Sequence, residues 1–172
     1  MYYHVSQNPT GQVYRRLIQV LGEHTDYIEL SHYNIGGVPY AASYDRVMAA
    51  LKPDVLKIRQ VSRNAMNDST RFHGITVFQV ACTSSTTRVL KQSATSLYEW
   101  GGRGDSESPD QLPSDLTFYL DDHWILAALG HEGFAVVNLP EKRVRQLQEL
   151  TGIELEAFTA DEVEDWDFDN WE

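Results

Sequence analysis

The amino-acid sequence predicts a single α+β domain with a mixed or mainly antiparallel central sheet and flanking helices. The chain has 172 residues, which suits one compact domain. Hydrophobic residues make up 42% of the chain, which is enough for a buried core. The stretch 116–139 contains three apolar runs separated by short polar turns. Such a series of hairpins is typical of an antiparallel sheet.

Helices are predicted where apolar residues recur on one face of a helical period. The stretch 10–22 follows this rule, with Thr10 as its N-terminal cap and Gly22 as its end. Ser43 is expected to cap a second helix. Pro140 suits the first position of a further helix that continues to Thr151.

The clearest predicted strand is 74–82. Its apolar side chains alternate onto both faces, which indicates an interior strand covered on both sides. The three strands of the meander are expected at 116–120, 124–129 and 134–139.

Three stretches are harder to assign from the sequence. Residues 55–61 fit either a helix or a strand. Residues 83–87 are rich in hydroxyl groups and are expected to form a turn or a loop. Residues 88–100 fit an edge strand or a short helix.

The chain divides into a domain and a tail. Residues 1–160 are assigned to one domain with a long loop at 101–114, because that stretch is rich in glycine, proline and polar residues. Loops of this length are usually mobile or functional. Residues 161–172 form an acidic and aromatic C-terminal tail.

The charge of the chain is strongly negative. Fourteen lysines and arginines against twenty-five aspartates and glutamates give a formal net charge of −11. The tail 161–172 holds seven of these acids and no base, so the rest of the chain carries −4. A negative chain repels phosphate backbones, and no nucleic-acid partner is therefore expected. The same charge attracts a basic protein partner.

Aromatic and acidic side chains are interleaved in the tail, and two interpretations follow. In the first, the tail is a solvated terminus whose rings rest on the domain. In the second, its carboxylates attract a cationic surface while its rings serve as buried anchors of a docking segment. The partner-binding residues of the second interpretation are Asp165, Trp166, Asp167, Phe168, Asp169 and Trp171.

His131 and Glu132 are the candidate catalytic residues, in the turn before the last strand of the meander. The preceding strand places His123 roughly 26 Å from His131, so the two histidines are not expected to share a metal ion. Cys82 ends a buried strand, where thiols are usually inert. The sequence contains no phosphate-binding loop and no nucleophile elbow. We therefore expect no cofactor and no metal.

The compartment is predicted from cysteine usage and from apolar stretches. The single cysteine, Cys82, excludes an internal disulfide framework. No apolar stretch reaches the ~18–20 residues of a membrane span. Residues 1–5 have neither the basic nor the apolar part of a secretory signal. These observations predict a cytoplasmic protein with no membrane partner.

One part of the sequence resembles known proteins. It is the segment from Leu112 to Tyr119 (LPSDLTFY), followed by Trp124 and by His131 and Glu132. It resembles a pattern in small bacterial proteins, some of which are immunity-type proteins encoded beside polymorphic toxins. The resemblance implies an intracellular protein that binds and blocks a toxin and has no catalysis of its own. Many such inhibitors are acidic because their targets are basic nucleases, which agrees with the net charge of −11.

Three functions are therefore open. The leading hypothesis is a non-enzymatic acidic binding protein, of which a toxin-neutralising immunity protein is the sharpest version. The first alternative is a small hydrolase or transferase with a site at His131 and Glu132. The second alternative is a structural or regulatory domain that acts as a homo-oligomer. The sequence leaves the oligomeric state open.

Overall fold

The fold is described from a computed structural model of the chain. The structure describes residues 1–33, 42–61, 74–101 and 112–159, together with the backbone of 63–64 and 67–68. No helix within these ranges is both long enough and apolar enough to cross a lipid bilayer.

The described residues form four α-helices and ten β-strands. In chain order these are β1 (Tyr2–Val5), α1 (Gly11–His24), β2 (Tyr27–Tyr33), α2 (Ala42–Leu51), β3 (Val55–Val61), β4 (Arg63–Asn64), β5 (Asn67–Asp68), β6 (Ile75–Ala81), α3 (Ser84–Ser93), β7 (Ser114–Leu120), β8 (His123–Leu129), β9 (Phe134–Asn138), α4 (Glu141–Thr151) and β10 (Leu155–Ala157). Short 3-10 helices lie at Lys52–Asp54, Leu97–Glu99 and Gly130–Glu132.

Eight of the strands form one sheet in the order β10-β1-β9-β8-β7-β2-β6-β3, and every neighbouring pair is antiparallel. The strands β4 and β5 form a separate small hairpin. The three strands β7, β8 and β9 are the predicted meander. The prediction of an α+β domain with a mainly antiparallel sheet is confirmed. The edges of the sheet are β10 and β3.

All four helices contribute to one core against a single face of the sheet. On β2 the side chains of Ile28 and Leu30 point into this core, and both are fully buried. The helices contribute a set of apolar side chains that includes Leu17, Ile18, Leu21, Val47, Leu51, Leu90, Val144 and Leu147. We call this side of the sheet the helix face. Its opposite is the far face, to which Tyr27, Glu29, Ser31 and Tyr33 of β2 belong by alternation.

Helix α1 confirms the predicted helix near 10–22, but its end differs from the prediction. Gly22 does not stop the helix, which continues to His24. A Cβ atom on Gly22 would lie 2.3 Å from Oγ1 of Thr87. The glycine therefore serves close packing of α1 against α3 and not termination of the helix.

Two further sequence predictions about helix starts are wrong. Residues 83–87 are not a turn, because Oγ1 of Thr83 accepts a hydrogen bond from the backbone N–H of Thr86 at 3.1 Å and caps α3. Ser43 does not cap α2, since it is a buried residue inside that helix. Pro140 is the capping residue of α4 and precedes its first helical residue.

The stretches that the sequence left open are now assigned. Residues 55–61 form the edge strand β3, paired only with β6 within the large sheet. The stretch 88–100 is no edge strand; it completes α3 and then contains the 3-10 helix Leu97–Glu99. The hydroxyl groups of Thr83 and Thr86 also bond to the Asp54 carboxylate, at 3.1 and 3.2 Å. This contact ties the start of α3 to the start of β3.

A buried chain of hydrogen bonds connects α1 with the elements that follow it. The Tyr14 hydroxyl donates to the backbone carbonyl of Leu90 at 2.8 Å. The indole Nε1–H of Trp100 donates to the same hydroxyl oxygen at 2.9 Å. Both Tyr14 and Trp100 are fully buried. The polar groups are thus satisfied inside the core, as buried groups must be.

The contact between Gly22 and Thr87 generates a stability prediction. In an exposed helix, replacing glycine by alanine stabilises by up to ~1 kcal/mol. Here we expect Gly22→Ala to lower the free energy of unfolding by roughly 1–3 kcal/mol, because the new methyl group overpacks the contact with α3. Urea unfolding monitored by circular dichroism measures the change.

The matched control is Thr87→Ala, alone and combined with Gly22→Ala. Truncating Thr87 removes the atom that the new methyl group would meet. The double variant should therefore be more stable than the sum of the two single changes implies. Strict additivity of the two changes would contradict the steric explanation.

Candidate binding face of the sheet

The far face carries a cluster of aromatic rings that we call the aromatic patch. No residue of a helix belongs to the packed cluster described on this side. The patch rests on small and aliphatic side chains of β8 and β9, which are fully or almost fully buried. Its rings are Tyr2, His4, Tyr27, Tyr119, Trp124, Phe134 and Phe158.

The rings of the patch contact one another in pairs. Tyr27 stacks on Tyr119 with ring centroids 4.8 Å apart, and Tyr2 stacks on Trp124 at 5.8 Å. Phe158 meets Phe134 edge to face at 6.3 Å, and His4 at 5.4 Å. These separations fall in the range of favourable aromatic pairs. The patch spans the sheet from β2 to the segment that follows β10.

A β-bulge places Trp124 in the patch. Phe118 of β7 pairs with Leu126 of β8, but Tyr119 pairs with Trp124, so β8 contains one extra residue at Ile125. Without this extra residue Tyr119 would face Ile125, and Trp124 would point to the helix face. The bulge therefore brings the indole beside the tyrosines.

An acidic turn borders the patch at one end of the sheet. Asp121 and Asp122 join β7 to β8 with φ angles of +50° and +62°, a conformation that aspartate tolerates better than most residues. The backbone N–H of Asp121 donates to the carboxylate of Asp26 at 2.8 Å. The hydroxyl of Tyr27 donates to Asp122 at 3.0 Å. All three carboxylates are exposed to solvent.

A buried carboxylate lies beside the tyrosine pair. Glu29 is only 6% exposed, and its Oε1 lies 2.5 Å from the guanidinium of Arg59 on β3. Burial, together with the nearby negative charge of Glu29, raises the pKa of Tyr119. Arg59 thus neutralises the one carboxylate of this group that is withdrawn from water.

The candidate pair His131 and Glu132 lies in the 3-10 turn between β8 and β9. Nε2 of His131 is 3.7 Å from Oε1 of Glu132, and Nδ1 is 3.9 Å from Oδ1 of Asp115. Asp115 is 2% exposed and its other oxygen accepts a hydrogen bond from the Tyr33 hydroxyl. The structure therefore adds two residues to the predicted pair.

Asp115 was not predicted as a site residue, and its position depends on a second irregularity. It has a left-handed φ of +56° where the pairing of β2 with β7 shifts register. A buried aspartate in that conformation beside a histidine is a feature that often marks functional sites. The only sequence signal was an acidic residue next to a strand.

The other predicted candidates are placed as follows. His123 begins β8 and His131 follows its end, so the two histidines lie at opposite ends of that strand. Among the described residues, no group of three or more histidine, cysteine, aspartate or glutamate side chains could hold a metal ion. Cys82 is partly buried, with its sulfur 3.2 Å from Oγ1 of Thr25, and burial raises the pKa of its thiol. A raised thiol pKa lowers its reactivity.

The predicted docking residues Asp165, Trp166, Asp167, Phe168, Asp169 and Trp171 lie outside the described residues. The described part of the chain ends at Thr159. The residue before it, Phe158, belongs to the aromatic patch, and its backbone N–H donates to the carbonyl of Tyr2 at 3.2 Å. The described part of the chain therefore ends at the aromatic patch.

Comparison with known proteins gives no relative that could identify this chain. No protein-family model, no curated protein and no solved structure matches it. The assignment of function therefore depends on the residues themselves.

The buried tyrosines generate a prediction for alkaline pH. Burial raises the pKa of Tyr27 and of Tyr44 to about 12, and it also raises the pKa of Tyr119. An unfolded tyrosine loses its proton near pH ~10, so the unfolded chain ionises first. The stability from these groups is complete below pH ~10 and is lost as the pH rises through the folded pKa values.

Urea unfolding at a series of pH values, with tyrosinate absorbance recorded in parallel, tests this expectation. The urea midpoint should fall steadily above pH ~10, and tyrosinate should form together with unfolding. A Tyr119→Phe variant should show a shallower fall than the parent protein. A midpoint that does not change over this pH range would contradict the burial of these hydroxyl groups.

Proposed function

We propose that the protein is a non-enzymatic binding protein whose recognition surface is the aromatic patch with the adjacent acidic turn. The observation that carries the proposal is the position of half-buried rings beside exposed carboxylates on one side of the sheet. Tyr2, Tyr27 and Phe134 keep part of their rings accessible, and Tyr27 donates a hydrogen bond to Asp122 of the acidic turn. Tyrosine and tryptophan are the residues that most often dominate protein interfaces.

A basic protein is the partner that this surface fits best. Exposed carboxylates raise the rate at which a cationic partner arrives, by roughly 10–10³-fold at low salt. Aromatic anchors that become buried then slow its release. The net charge of −11 acts in the same direction.

A toxin-neutralising immunity protein is the sharpest form of this proposal. It rests on the resemblance of the segment 112–132 to immunity-type proteins, several of which block basic nucleases. It also rests on the tail 161–172, whose acids and rings continue the composition of the patch. In this proposal the patch and the tail bind the same cationic partner in the cytoplasm.

The acidic turn supplies the first test. Asp121→Asn combined with Asp122→Asn removes two charges, and asparagine tolerates the positive φ of both positions. In this proposal the neighbouring gene encodes the basic partner, and association with that protein should slow about tenfold at low salt, since steering depends on these charges. Stopped-flow fluorescence at several salt concentrations measures the rate.

A matched control removes two charges elsewhere. Glu149→Gln with Glu154→Gln changes exposed residues of α4 and of the segment before β10. We expect this variant to associate almost as fast as the parent protein. Equal slowing in both double variants, or a rate that does not depend on salt, would contradict recognition by the acidic turn. Truncation after Thr159 then measures how much the tail contributes to the association rate.

A small hydrolase or transferase is a second candidate, favoured by one observation. His131 lies within 4 Å of Asp115, a buried carboxylate that also accepts a hydrogen bond from Tyr33. A carboxylate beside an imidazole can fix its orientation for general acid–base catalysis. Glu132, which is 54% exposed, would be the solvent-facing partner of the histidine.

Substitution of the histidine tests the second candidate. If His131 is a general base, His131→Gln should lower the hydrolysis of activated ester and phosphoester substrates by about 10²-fold or more. His123→Gln at the other end of β8 is the control and should have no effect. Hydrolysis that is absent in the parent protein, or equal in both variants, would exclude this candidate.

A further inference from the structure

The outer surface of the helix layer contains a basic groove between α1 and α3. It has a volume of about 740 Å³ and is lined by Arg15 and Arg16 from α1 and by Arg88 and Lys91 from α3. We call it the cationic groove. Its remaining lining residues are Gln12, Gln19, Gln92, Ala94 and Thr95. It lies on the other side of the sheet from the aromatic patch.

The charge of the groove is opposite to that of the chain. Four of the fourteen basic residues line it, and none of the described lining residues is acidic, although the chain carries −11. Salt limits the reach of surface charges to about 8 Å under physiological conditions. Glu23 and Glu99 are hydrogen-bonded to the lining residues Gln19 and Thr95. An anion inside the groove is therefore influenced mainly by the four cations and by these two carboxylates, and little by more distant ones.

The walls of the groove are held in place by contacts beneath and across it. The Tyr14 hydroxyl bonds to the Leu90 carbonyl, which connects α1 to α3. The backbone N–H of Gly11 donates to the carbonyl of Thr95 at 2.8 Å, which fixes the end of the groove. A ligand would bind without the cost of ordering two helices.

The side chain of Gln19 connects a basic and an acidic residue at one end of the groove. Its side-chain oxygen accepts a hydrogen bond from Lys91, and its amide nitrogen donates to Glu23. Glu23 therefore stands beyond one end of the lining, where it disfavours an anion. At the other end Glu99 accepts hydrogen bonds from the backbone N–H and the hydroxyl of Thr95. The favourable region therefore lies between the two ends, beside the side chains of Arg15 and Arg16.

The lining selects the chemistry of the ligand. Ala94 is the only apolar residue among the lining residues described, and none of them is aromatic. An acidic peptide with aromatic anchors, such as the tail 161–172, would find no apolar wall there. Arginine guanidinium groups bind phosphate oxygens through paired hydrogen bonds, and the side-chain amides of Gln12 and Gln92 add further donors.

We propose that the cationic groove binds a small, multiply phosphorylated anion through Arg15, Arg16, Arg88 and Lys91. This site is separate from the proposed binding face and does not depend on it. The groove recognises the phosphate groups, so the rest of the ligand contributes little affinity.

Calorimetric titration of the full chain with tripolyphosphate at low salt tests the proposal. We expect measurable binding that weakens as salt is added, because several phosphate charges are paired. Arg15→Gln combined with Arg88→Gln should weaken binding at least tenfold. The control, Lys142→Gln with Arg143→Gln on exposed positions of α4, removes the same charge and should change affinity less than threefold. Thermal melting checks that both variants are folded.

Two further ligands test whether the phosphate groups belong to a small molecule or to a nucleic acid. ATP should bind with an affinity similar to that of tripolyphosphate, since the groove offers no aromatic wall for a base. A single-stranded oligonucleotide that binds more tightly and depends on Arg15 and Arg88 would assign the groove to nucleic acid and overturn the proposal. It would also be overturned if tripolyphosphate gave no binding, or if both double variants lost affinity equally.

Discussion

The hydroxyl group of Tyr14 is the contact on which the helix layer depends. It lies in the core, donates to Leu90 of α3 and accepts from the indole of Trp100. A buried hydroxyl without partners costs about 1–3 kcal/mol, so the three groups must keep their relative positions. Those positions fix α1 against α3, and the missing side chain of Gly22 lets the two helices approach closely. The sheet receives one rigid layer of helices as a result.

Because all four helices cover the same face, the molecule has two surfaces of different chemistry. The far face of the sheet carries aromatic rings, with carboxylates at the turn of Asp121 and Asp122. The outer surface of the helices carries the basic side chains of α1 and α3. A ligand close to one surface is influenced mainly by the charges of that surface, because the opposite charges lie on the other side of the molecule. The net charge of the whole chain therefore says little about which ligands each surface attracts.

The sequence was sufficient to predict the regular helices and strands. It was not sufficient to predict the helix caps and the shifts in strand register. The helix α1, the strand β6 and the meander follow from apolar periodicity and are present, although α1 continues past Gly22 to His24. Residues 83–87, which contain the cap of α3, were predicted to form a turn or a loop, because hydroxyl-rich residues are common in both caps and turns. Trp124 reaches the far face through a shift in strand register, and Asp115 has a left-handed backbone at a second shift; periodicity reveals neither irregularity. The patch joins Tyr2 to Trp124 and Tyr27 to Tyr119, pairs too distant in the chain for any local pattern.

The position of β3 at the edge of the sheet, as formed by the described residues, has a consequence for the behaviour of the protein at high concentration. Leu56 and Ile58 are 61% and 59% exposed there, and an apolar edge strand invites pairing with another chain. Lys57 and Arg59 alternate with these two residues along the same strand. Arg59 is paired with Glu29, so the charge of Lys57 is the one that disfavours addition of a second copy of this strand. At the opposite edge, β10 is only three residues long and provides little template for fibril growth.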